Sequence, residues 1–212
     1  MINKIEIDIG TLIKQEKHYE YVTVHPKIGK PFKRKQLIGR KKREDIQQKQ
    51  KIIFDYENMI RDQIFESCGA FDINGNFILH KNGEKDRINF TLEEMTKLKG
   101  VIFTHNHPSG GSFSKEDVKF ACRVKIKELR VITSRLKGKI YILRMKDRSN
   151  MSPEIWNKIE SSFNENNIKL RNEFINKIQS GDITINEANA KYYDKLWFRI
   201  AKDIPEIEYI SD

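Results

Sequence analysis

The stretch Val101-Ile-Phe-Thr-His-Asn-His-Pro-Ser-Gly-Gly-Ser-Phe-Ser-Lys-Glu-Asp117 constrains the fold of this chain more than any other. Its apolar opening, Val101 to Thr104, reads as a buried strand entering a sheet. Pro108 to Phe113 is a glycine-containing turn. Ser114, with Asp117 three positions on, is a capping-box pattern that starts a helix over Lys115 to Val124, with Val118, Ala121 and Cys122 on one face. A strand and a helix must therefore meet across a tight turn that carries two histidines.

The rest of the chain can be placed around that unit. Ile2-Asn-Lys-Ile-Glu-Ile alternates apolar and polar residues and predicts a short N-terminal strand. Lys27 to Arg43 holds nine basic residues and no acid, and Gly29, Pro31 and Gly39 mark it as an extended basic arm. Residues 44–65 have apolar positions near helical spacing and predict an amphipathic helix. Two antiparallel strands are expected at about 66–72 and 76–81, because Asn74-Gly75 is a hairpin signal. A short helix at 92–98 is expected behind the N-cap Thr91, followed by strands at 129–134 and 139–144 joined by the turn Arg135 to Gly138. Ser152-Pro153-Glu154 starts a helix, Gly181-Asp182 breaks it, and a second helix covers about 185–202. This gives three expected parts: an N-terminal strand and basic arm (1–43), a central domain (44–148) and a C-terminal helical extension (149–212).

Charge narrows the partners. The net charge is +10, and the Lys27 to Arg43 arm suits an acidic partner or nucleic acid. No apolar run approaches the roughly 20 residues of a membrane helix, so no membrane association is expected. Cys68 and Cys122 are too few for a disulfide framework and lack ligand spacing, which favours a reducing, cytoplasmic setting. Cys68 is expected in the core.

His105 and His107 leave the strand on one side, since residues two apart in an extended segment share a face. Two imidazoles so placed can grip one metal ion. Zinc takes nitrogen, sulfur and oxygen ligands in a tetrahedron, and a catalytic site leaves one position open. Asp117, at a helix N-terminus and within reach across the turn, suits the third ligand.

With an upstream Glu, His-x-His-Pro followed by Ser-x-x-Asp resembles the JAMM motif of the JAB/MPN metallopeptidases. The wording His-Asn-His-Pro-Ser-Gly is similar to their RadC-like bacterial branch, and Gly-Ser-Phe-Ser-Lys-Glu-Asp with Lys127 to Val131 is similar to phage-associated and toxin-associated members. The turn is one residue shorter than is usual in that family. The resemblance covers roughly residues 60–145. It implies an α/β fold of JAMM/MPN type, a cytidine-deaminase-like mixed sheet with flanking helices. It implies Zn2+ held by His105, His107 and Asp117, with Glu66 of Glu66-Ser-Cys-Gly69 as general acid/base and Ser114 stabilising the oxyanion. The activity implied is hydrolysis of a peptide or isopeptide bond in a protein or protein conjugate. A phage or mobile-element setting follows, in the host cytoplasm or with the virion.

Other readings stand beside these. Ser114 and Asp117 cap a helix whether or not they do chemistry. Glu57, Glu84, Glu93 and Glu94 compete with Glu66. His18, His25 and His80 read as surface or packing residues, with His80 conceivably near the site. An HNH nuclease is excluded on geometry, because one tripeptide supplies all three letters. The alternative functions are a catalytically silent JAMM-like binding module and a nucleic-acid-binding protein that uses the basic arm.

Overall fold

A computed structural model describes residues 34–134 and 138–212, with side chains described from residue 46 onward. The chain divides into two compact units, Met1–Lys42 and Arg43–Asp212, and the second holds every strand described below. The expected N-terminal strand and Lys27 to Lys33 of the basic arm lie outside the described residues, as does most of the turn before Gly138.

Helix α1 (Arg34–Ile60) is followed by the hairpin β1 (Ser67–Phe71) and β2 (Phe77–Asn82), then α2 (Leu92–Lys97) and β3 (Ile102–His107). Next come α3 (Lys115–Arg123), β4 (Glu128–Thr133) and β5 (Ile140–Met145). The chain closes with α4 (Pro153–Gln179), α5 (Ile185–Asp203) and β6 (Ile207–Ser211). The six strands form one sheet in the order β2-β1-β3-β4-β5-β6. Only β3 and β4 pair in parallel, with α3 between them in sequence, so the sheet is mixed and the fold is α/β.

Two apolar layers flank the sheet. On one face Cys68, Phe103, Leu129 and Leu143 pack with Val118 and Cys122 of α3, Ile159 and Leu170 of α4, and Leu196 and Trp197 of α5. On the other, Ile53, Tyr56 and Ile60 of α1 cover Phe71, Ile102 and Ile132. Gly69 is needed beneath α1, because a Cβ there would stand 2.4 Å from the Tyr56 ring. At the hairpin turn Gly75 takes a φ of +84°, the left-handed conformation that an Asn-Gly turn needs.

Three expectations change. The basic arm is not extended throughout, since α1 already begins at Arg34 and runs through Gly39. One glycine costs a helix only about 1 kcal/mol relative to Ala, less than the apolar burial at Ile53, Tyr56 and Ile60 returns. β3 does not stop at Thr104 but continues to His107, because its parallel pairing with β4 runs from Ile102↔Glu128 to His107↔Thr133. Residues 149–212 are not a purely helical extension. Ile207 pairs with Met145 and Ser211 with Tyr141, and residues from Met151 to Ile207 belong to the same core as the central strands.

Candidate metal centre

Strand alternation puts Phe103, His105 and His107 on the face that carries α3, and it turns Thr104 and Asn106 toward α1. The strand then leaves through a six-residue turn, Pro108–Phe113. Gly110 (φ +74°) and Gly111 (φ +120°) take conformations that side chains resist, and the Gly110 N–H donates to the His107 carbonyl at 3.0 Å. These two glycines let a short turn reverse the chain. At its end Ser114 caps α3: its Oγ accepts from the Asp117 N–H at 3.1 Å, and its own N–H donates to Asp117 Oδ2 at 2.7 Å.

The capping box thus fixes Asp117 with its carboxylate facing the strand end. His105 Nε2 lies 3.5 Å from Asp117 Oδ1, His107 Nε2 lies 3.4 Å from Asp117 Oδ2, and the two Nε2 atoms are 3.1 Å apart. A tetrahedral ion with ligands at about 2.0–2.1 Å separates its donors by roughly 3.3 Å. The two nitrogens and the carboxylate, which meets His105 through Oδ1 and His107 through Oδ2, lie close to that spacing, and this buried group can hold a metal ion. The other ring nitrogen of His105, Nδ1, is buried without a partner.

Glu66 stands beside this group, its Oε1 4.0 Å from His107 Nε2. Burial raises its carboxyl above the usual range; His105 and His107 oppose the rise, and Asp117 and Asp86 add to it. For Asp117, burial alone would act upward, but the charges and hydrogen bonds of the two histidines outweigh it and hold the carboxyl well below the usual range. In His107 burial acts downward, and the hydrogen bond and charge of Asp117, with Glu66 and Gly111, turn the net shift upward. The two carboxylates beside the histidines are therefore shifted in opposite directions, Asp117 down and Glu66 up.

Glu66, His105, His107, Ser114 and Asp117 line one cleft of about 700 Å3. Ile88, Phe90 and Phe120 supply an apolar wall, and Tyr192 and Tyr193 of α5 close another side. The competing acids are engaged elsewhere. Glu57 is fully buried on the α1 face against Arg130 and Thr104, Glu84 pairs with Arg87, Glu93 with Lys97, and Glu94 with Lys81. His80 is not near the site, because its Nδ1 is 2.7 Å from the Tyr56 hydroxyl beneath α1. Cys68 and Cys122 are buried free thiols, both pushed up by burial to about 12.

Two groups important to the site carry no role in the sequence reading. Trp197 donates to the Phe113 carbonyl, and Ser112 Oγ meets the Tyr209 hydroxyl at 2.8 Å, so α5 and β6 brace the turn. Asn106 binds the segment that carries Glu66. The signal for Asn106 was strand alternation, which places it opposite the histidines; nothing local announces Trp197.

No family model, curated protein or solved structure matches the chain.

Proposed function

We propose that the chain is a zinc-dependent hydrolase of the JAMM type that cleaves a peptide or isopeptide bond in a protein or protein conjugate. The observation that carries this reading is the convergence of two imidazole nitrogens and the Asp117 carboxylate within 3.5 Å of one another, with the Glu66 carboxylate 4.0 Å from one of the nitrogens. The donor set suits zinc, two imidazole nitrogens and one carboxylate with room in the cleft for a fourth ligand. The JAMM/MPN variety of α/β fold and a phage or mobile-element setting belong to the same proposal, on the wording of the motif.

Zinc, when bound, supplies a Lewis acid that activates water and polarises a carbonyl. His105, His107 and Asp117 would hold the ion. Glu66, its carboxyl raised by burial, accepts a proton from the attacking water and returns it to the leaving amine. Ser114 uses its oxygen to accept from the Asp117 amide, which leaves its hydroxyl proton to donate to the oxyanion. The apolar wall of Ile88, Phe90 and Phe120 keeps water away from one side of the cleft.

The test is elemental analysis of the purified protein together with hydrolysis of a quenched-fluorescent peptide library. Stoichiometric zinc and cleavage that Glu66→Gln abolishes without loss of metal are expected. Stoichiometric zinc with no cleavage would point instead to a silent binding module, and a metal-free protein would overturn the reading.

A further inference from the structure

Glu66 lies at the entrance to β1, one residue before the strand begins. Its own N–H donates to the Glu84 carbonyl at 2.8 Å, and its carbonyl accepts from the Gly83 N–H at 2.7 Å. Both groups face the β2 side. The alternation of an extended backbone sends the neighbouring groups, the Phe65 carbonyl and the Ser67 N–H, toward β3.

There the regular pairing of β1 with β3 has ended, its outermost pair being Cys68↔His105. The Asn106 carboxamide takes over. Its Oδ1 accepts from the Ser67 N–H at 2.6 Å, and its Nδ2 donates to the Phe65 carbonyl at 3.0 Å and to the Gln63 carbonyl at 3.3 Å. One side-chain amide thus serves both groups that flank Glu66, as a strand peptide would. Asn106 is fully buried, and its neighbours on β3 are the two candidate ligands.

We propose that Asn106 is a positioning residue that sets Glu66 against the metal ligands; this rests on the hydrolase reading of the site. The same strand presents the ligands on one face and, on the other, the clamp for the group that moves the proton. The spacing between Glu66 and His107 is therefore fixed by one residue placed between the two histidines. Only a carboxamide provides a donor and an acceptor in this orientation. Asp at 106 would accept from Ser67 but would repel the Phe65 and Gln63 carbonyls.

Asn106→Asp is compared with the zinc-loaded parent by steady-state kinetics on the peptide library, zinc content and crystal structures of both. The variant is expected to keep stoichiometric zinc and a KM within about twofold, while kcat falls roughly ten- to hundredfold. In its crystal structure the Glu66 carboxylate should stand farther from His107 with the three ligands unmoved. Parental kcat in the zinc-loaded variant, or Glu66 unmoved, overturns the proposal. If the parent cleaves nothing, the hydrolase reading fails, and the position of Glu66 alone decides the role of Asn106. Should Asn106→Asp not fold, hydrogen exchange on the parent decides: a Ser67 amide held by Asn106 is protected, and exchange at the rate of an open loop rules the clamp out.

Discussion

The indole N–H of Trp197 on α5 donates to the backbone carbonyl of Phe113 at 2.7 Å, and both residues are fully buried. Phe113 immediately precedes the cap of α3, so a helix near the C-terminus holds the turn that delivers Asp117 to His105 and His107.

Trp197→Phe keeps most of the apolar volume but leaves that carbonyl buried without a donor. The loss is expected to be about 1–3 kcal/mol of stability, with weaker zinc retention because the turn loosens. Denaturant titration and competition with a chelator measure the two. Parental zinc affinity in a destabilised Trp197→Phe would show that the brace supports the core and not the metal centre.

Ser114 combines a structural and a proposed chemical role, and these can be separated. Ser114→Ala removes the cap and should cost about 1 kcal/mol. Ser114→Gly keeps a residue that N-caps almost as well, so it should stay within a few tenths of a kcal/mol of the parent. Its kcat should nevertheless fall by roughly a hundred- to thousandfold, because no side-chain donor is left for the oxyanion. A Ser114→Gly protein with full activity would reduce Ser114 to a helix cap.

Most of the framework around the site was legible because each signal was local. The Thr91 and Ser114 capping boxes, the Asn74-Gly75 hairpin and the Ser152 start of α4 all form as their residues predict. His105, His107 and Asp117 were legible for the same reason, since one strand, one turn and one helix start bring them together. What stayed hidden depends on distant pairing. β6 is short, and its residues become a strand only beside β5. Glu66 was favoured over Glu57 by its place at the start of β1 and the Glu-Ser-Cys-Gly wording, and the fold separates the two by pairing Glu57 with Arg130 and setting Glu66 beside His107. The continuation of α1 through Gly39 reflects a helix anchored from its C-terminal half, where Ile53, Tyr56 and Ile60 are buried.

Glu57 is the sharpest control for the assignment of Glu66. It is fully buried, accepts from Arg130 Nε at 2.6 Å and from Thr104 Oγ1 at 3.0 Å, and so ties α1 to β4 and β3. Removing one member of a buried ion pair strands the other, and Glu57→Ala should cost about 3–5 kcal/mol. Arg130 also holds Glu128 at 3.0 Å, which keeps the cost toward the lower end. Glu57→Gln should be milder and should retain parental kcat and zinc content. Calorimetry alongside the peptidase assay checks this, and a large kcat loss in a folded, zinc-loaded Glu57→Gln would mean that the two acids have been assigned the wrong way round.

The pH dependence of stability should carry a signature from His80, away from the metal centre. Burial lowers its pKa from the ordinary 6.5, with hydrogen bonds involving Asn82 and the Cys68 backbone opposing the shift. The Tyr56 hydroxyl, its own pKa raised by burial, hydrogen-bonds His80 Nδ1 at 2.7 Å. Between the lowered value and 6.5 the unfolded chain binds a proton that the folded chain refuses, so stability rises with pH across this interval. The contribution is complete above 6.5 and is lost as the pH falls through 6.5 to the lowered value. Melting temperatures of the parent and His80→Gln, measured between about pH 5 and pH 8, should diverge on the acid side, with the parent falling more steeply. Glutamine can still accept from Tyr56 but takes up no proton, so parallel curves would show that His80 does not titrate on unfolding.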